Sequence, residues 1–167
     1  MKYSETLIQI INNATPKILA IGEEKMSLKP SIDKWSNKEI LGHLIDSAMN
    51  NYRRILIAPS KEDLIFEGYD QVYWVKTNAY QSRDLVEIVS LWKALNQHIA
   101  TLIHQTPVTA LNKKTVIHAF DQTAMLPLQK GESSSLAYLV WDYLYHLEHH
   151  LAQLIDGYVK ITEPFNA

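Results

Sequence analysis

Apolar residues recur at steps of three and four along four separate stretches of this chain, and that repeat restricts the fold more than any other feature. In the first stretch, residues 3–21, Leu7, Ile10, Ile11, Ala14, Ile18 and Ile21 share one face. Pro16 falls inside it and predicts a kink or a break; Gly22 and the residues up to Pro30 end it. The second stretch starts at Ser36, where Ser36-Asn37-Lys38-Glu39 reads as a capping box with Trp35 placed to staple against Ile40. It continues through Leu41, Leu44, Ile45, Ala48, Tyr52 and Ile55 and stops before Pro59. The third begins near Ser82 or Arg83 and reaches Gln105, just before Pro107. The fourth opens at Ser133-Ser134-Ser135, read as a helix cap, and closes at Gly157, an expected C′ residue. Residues 63–81 are too aromatic for a bare linker and predict a short helix over 70–77. Residues 113–130 mix β-branched and turn residues and predict a small hairpin or an extended crossing. With 167 residues and no internal repeat, the expectation is all-α: one four-helix bundle spanning 1–167.

Composition then removes several functions. Sixteen Lys and Arg against eighteen Asp and Glu leave a net charge of −2, with no basic excess to neutralise phosphates, so nucleic acid is not an expected partner. Cysteine is absent. Disulfides, a cysteine nucleophile and thiolate zinc sites are therefore excluded, and a bound metal must use His, Asp or Glu. No apolar run is long enough to cross a membrane, and the first residues are polar where a signal peptide is apolar. The expected location is cytoplasmic, with no membrane partner.

Three of the seven histidines crowd into His146-Leu147-Glu148-His149-His150. At roughly 100° per residue, His146 and His150 fall beside the apolar stripe of the fourth helix, and His149 turns away from it. An i, i+4 pair of imidazoles can chelate one divalent ion. The same pair near a helix C-terminus can also merely complement the helix dipole. His43 heads a polar row on the second helix, with Ser47, Asn50 and Arg54 within about 40° of it. Such a row lines an interior cleft or simply sits in water at the boundary. No Glu-x-x-His, His-Glu-x-x-His or Gly-rich nucleotide loop is present.

Several of these segments resemble a known family. The run from Trp35 through Gly42-His43-Leu44-Ile45-Asp46-Ser47 to Asn51, with Arg53-Arg54, resembles the opening signature of the DinB-like (damage-inducible) superfamily. Gly68-Tyr69-Asp70-Gln71 with Trp74-Val75, Leu91-Trp92 with Asn96, and Trp141-Asp142-Tyr143 leading into His146–Gln153 are similar to its later motifs, in the same order. The resemblance implies a four-helix bundle holding one divalent metal ion, zinc or nickel, on His43, His146 and His150. It also implies homodimers, and relatives that include transferases and isomerases using low-molecular-weight thiols. The chain departs from the family before the fourth helix: relatives carry a Gly-rich stretch where residues 121–130 here contain Met125, Pro127 and Gln129. That departure leaves the role of His118 open.

Three functions are compatible with such a site: a metal-dependent hydrolase of an unidentified small molecule, a thiol-dependent transferase or isomerase, and a metal-stabilised binding protein without turnover. Tyr143, about 20° from His150, is the candidate to reach substrate on the inward face. Asp46 and Asp142 are candidate acceptors for imidazole N–H groups. Asn50, Arg54, Tyr69 and Trp74 are expected to line the cleft, with Arg54 fixing a substrate carboxylate.

Overall fold

Ser36 starts the second long helix as its sequence predicts: its hydroxyl accepts from the Glu39 N–H (3.2 Å) and its own N–H donates to Glu39 Oε2 (2.8 Å). In the computed structural model, which describes residues 2–165, the helices are α1 (Lys2–Ile21), α2 (Glu23–Ser27), α3 (Asn37–Ile57), α4 (Gln71–Thr77), α5 (Leu85–Gln105), α6 (Val108–Asn112), α7 (Phe120–Thr123) and α8 (Leu136–Leu154). The four long helices α1, α3, α5 and α8 correspond to the four periodic stretches. In the bundle α1 lies against α5 and α8, and α3 lies against the same two. Consecutive α1 and α3 therefore occupy a diagonal, and α3 packs directly on α8. That last contact positions the histidines.

Differences from the sequence expectation have local causes. Pro16 does not break α1, which runs as one helix from Lys2 to Ile21. Both Pro16 and Asn12, whose carbonyl the proline leaves without its intrahelical donor, are exposed, so water can take that acceptor. Asp84, rather than Ser82 or Arg83, caps α5 by accepting from the Glu87 N–H (3.0 Å). The serine run is not a side-chain cap: Ser134–Ser135 form a short strand antiparallel to Lys114–Thr115, with register Lys114↔Ser135. The pair replaces the hairpin expected within residues 113–130, because the partner strand comes from beyond that segment. Helix α8 ends at Leu154 with Ile155 as its cap, so Gly157 (φ 67°) lies one residue past the C′ position.

The aromatic connection folds largely onto this chain's own core. Asp70 caps α4 through the Tyr73 N–H (3.0 Å), while Phe66, Val75 and Tyr80 are buried and Val72 and Tyr73 are exposed. Tyr80 lies across α3 so closely that a Cβ at Gly42 would fall 2.1 Å from its ring, which explains a glycine in mid-helix. The two long connections meet through Leu64 N–H to Ile117 O (2.9 Å) and Ala119 N–H to Leu64 O (3.2 Å). Among the described residues, no helix is long and apolar enough to cross a membrane.

Candidate metal centre

The α3–α8 contact brings one imidazole from the second motif against two from the last. Ligand atoms of His43, His146 and His150 all lie within 4.8 Å of one another. His43 Nε2 and His146 Nε2 are 3.1 Å apart, and the His150 ring centroid lies 5.0 Å from that of His43 and 4.7 Å from that of His146. Two ligands of a tetrahedral zinc ion, at bonds of about 2.05 Å, sit about 3.3 Å apart. The donor set thus fits a first-row divalent ion.

Hydrogen bonding assigns the tautomers that such a role requires. His150 Nδ1 is 2.9 Å from Gln153 Oε1, an oxygen that can only accept, so Nδ1 carries the proton and the Nε2 lone pair is free. His146 Nδ1 faces Ser47 Oγ at 3.4 Å, and that hydroxyl is held by Asn51 Nδ2 (3.3 Å). His43 has no such partner: its buried Nδ1 makes no hydrogen bond. The Trp35 ring instead packs on it, with centroids 5.3 Å apart. Burial, followed by the neighbouring His150, lowers the pKa of His43 from 6.5 to about 4. Burial also pushes His146 well below its ordinary value and lowers that of His150. All three are neutral at pH 7, the form that binds metals.

His43 and His146 open onto a cavity of about 230 Å³. One wall belongs to α3, with His43, Ser47, Asn51 and Arg54; the other comes from Gly68 and Tyr69, from Gln71 at the start of α4, and from 122–125. Asp142 and His146 of α8 close the space between them. Asp142 accepts from the backbone N–H groups of Met125 and Leu126 (both 2.9 Å), and Tyr138 one turn earlier donates to Leu126 O (2.5 Å). Two carboxylate bonds and one phenol therefore hold the second loop in place.

Several expected residues occupy other roles. Tyr143 faces inward, but its hydroxyl donates to Asn96 Oδ1 (2.6 Å) in the bundle core, away from the cavity lining. Asp46 accepts from Tyr80 Oη (2.7 Å) and Asn78 Nδ2 (2.9 Å) instead of from an imidazole, and Asp142 orients a loop instead of a histidine. Asn51 takes the cavity position expected for Asn50, whose side chain bonds back to Asp46 O (2.9 Å). Tyr69 lines the cavity, and Trp74 packs on the Tyr69 ring at 4.9 Å without lining it. Arg54 is only 6% exposed and lines the cavity, so the solvated alternative does not hold. His118 stacks on Phe120 and donates from Nε2 to Glu132 O (3.0 Å), a packing role. His149 stays outside the three-histidine group and bonds Gln153 Nε2 (3.1 Å). Gln153 has a local signal, standing three residues beyond His150 on the same helix edge. Gln122 and Thr123 have none.

This combination of bundle and histidine cluster belongs to a known class. A family profile described as the DinB superfamily matches residues 13–154, and the chain belongs to that superfamily. It is 24% identical over 151 residues to a protein of Oceanobacillus iheyensis named "Putative metal-dependent hydrolase OB0782", covering 90% of this chain and 78% of that one. A protein of Halalkalibacterium halodurans named "Putative metal-dependent hydrolase BH0277" is 20% identical over 128 residues, 77% of this chain and 68% of its own. The solved structure of YfiT from Bacillus subtilis is described as a probable metal-dependent hydrolase with an unusual four-helix bundle topology. It matches with a TM-score of 0.73 over 92% of this chain and 82% of that one, at 18% identity, which establishes the shared fold.

Proposed function

We propose that this protein is a metal-dependent hydrolase of small molecules, with one divalent ion, zinc or nickel, held by His43, His146 and His150. The observation that carries this reading is the convergence of three neutral imidazoles on one point at the edge of a polar cavity. A structural zinc site takes four protein ligands; three leave a coordination position for chemistry. When bound, such an ion acts as a Lewis acid that activates water and polarises a carbonyl.

The chain's own residues supply the rest. Ser47 and Gln153 fix the two α8 imidazoles, so little reorganisation accompanies binding. Asn51, Gln71 and Gln122 offer amides to a polar substrate. Tyr69 keeps its proton, because burial raises its pKa, and can donate a hydrogen bond. Among the described lining residues Asp142 is the one carboxylate, and both its oxygens already accept backbone N–H groups, so it shapes the wall. Metal analysis of untagged protein, followed by parallel screens for ester and amide hydrolysis and for thiol conjugation, tests the proposal. The expected result is one ion per chain and hydrolysis that disappears in His150→Ala. Thiol conjugation without hydrolysis would replace this reading with an S-transferase, and bound metal without any turnover would leave a binding protein.

A further inference from the structure

The far end of the cavity holds a cation whose bonding is incomplete. Arg54 is 6% exposed, yet one hydrogen bond is made by its guanidinium, from Nη2 to Glu67 O (2.8 Å). A guanidinium carries five N–H donors. No carboxylate lies within 4.0 Å of it among the described residues. Asp142 shares the cavity and acts on Arg54 only at longer range, its own oxygens being engaged by Met125 and Leu126. The donors it does not use are not sealed from solvent and face the cavity, where a ligand can reach them.

We propose that Arg54 is the carboxylate-binding end of the cavity, so that the substrate is a small polar molecule with a terminal carboxylate opposite its reacting carbonyl. The histidine half of this statement rests on the hydrolase reading above; the Arg54 half does not. A planar carboxylate matches the guanidinium fork with two parallel hydrogen bonds. A phosphate dianion fits less well, because the lining offers one Arg, no Lys and a nearby carboxylate. The bond to Glu67 O fixes one edge of the guanidinium and keeps the remaining donors for ligand. His43 and Arg54 stand eleven residues apart on α3, about 16 Å along the axis, and arginine side chains lean back toward the helix N-terminus. Both side chains lean that way, so the histidines and the guanidinium stand more than one helical turn apart in the same cavity, a separation that a chain of several carbons bridges.

Two arms test this. In the first, metal-free protein is titrated with hexanoate and with hexanamide while the Arg54 Nε–H resonance is followed by NMR. Hexanoate is expected to shift it saturably and hexanamide is not; equal responses, or none to hexanoate, would overturn the proposal. In the second, zinc-loaded protein is titrated calorimetrically with suberic acid monohydroxamate and with its neutral methyl ester. The acid is expected to bind about tenfold more tightly to the native protein, and Arg54→Gln to remove that preference while the ester binds both proteins alike. A preference that survives in Arg54→Gln would also overturn it. Failure of the ester to bind, with hexanoate still shifting Arg54, would sink the metal reading and leave the carboxylate end standing.

Discussion

The two walls of the cavity are built on different physical terms. The α3–α8 wall carries the histidines on long helices whose apolar faces are buried along their length, so each ligand inherits the stiffness of the bundle. The loop wall, residues 67–71 and 122–126, hangs from a few point attachments: Asp142 to the Met125 and Leu126 N–H groups, Tyr138 to Leu126 O, and Arg54 to Glu67 O. The expectation is that the first responds as a unit and that the second loosens locally when one of these bonds is removed. The three histidines thus sit on the stiff wall, and most of the polar residues that face them across the cavity sit on the pinned one.

The largest effect should come from the stiff wall. His150→Ala is expected to lose stoichiometric metal, whereas His149→Ala retains it within a few-fold; calorimetric titration with zinc decides. If His149→Ala loses the metal and His150→Ala keeps it, the assignment of the α8 face is wrong.

The same wall should control how acid affects metal-free protein. An unfolded histidine takes up a proton as pH falls through 6.5, while folded His43 does so only near 4. Its contribution to stability is complete above 6.5 and is lost as pH falls from there toward 4, on the order of 3 kcal/mol in all. Thermal unfolding of metal-free protein should show a Tm that drops across that window. A flat profile between about pH 7 and about pH 4.5 would contradict the burial of these rings.

For the pinned wall, Asp142→Asn leaves one amide oxygen to serve two backbone donors and should cost about 1–3 kcal/mol. Hydrogen exchange at Met125 and Leu126 should accelerate well beyond that at α3 and α8, with zinc affinity nearly unchanged. Equal acceleration everywhere would mean that the two walls are one cooperative unit. The smallest effect expected is for Gln153→Ala, which removes the acceptor that orients His150 and should weaken zinc binding about tenfold, roughly 1.4 kcal/mol. Unchanged affinity would show that packing alone aligns that ring.

Residues whose partners lie within a helical turn or two are legible in the sequence itself. The Ser36–Glu39 cap, the short helix over 70–77 and the inward i, i+4 pair His146 and His150 are all of this kind. Expectation and structure part where distant elements compete for a residue. Asp46 sits three residues from His43, a spacing that suggests its acceptor, but Tyr80, 34 positions away, reaches the carboxylate first. The helical phase of Tyr143 places it on the inward face, and only Asn96 on α5 decides that its hydroxyl ends in the core. Asn50 and Asn51 differ by one residue, and the close packing of α3 on its neighbours selects Asn51 for the cavity.

By itself the amino-acid order determined four amphipathic helices, the absence of any thiol ligand and an i, i+4 histidine pair beside the apolar stripe of the fourth, because periodicity, capping and composition act over a few residues. Tertiary structure alone decided that α3 lies against α8, which brings His43 to within hydrogen-bond distance of His146. It alone turned residues 122–125 into a cavity wall and buried Arg54 beneath it without a carboxylate at its side. Those outcomes depend on hydrogen bonds and packing between segments far apart in the chain, and such contacts leave no repeating pattern in the sequence.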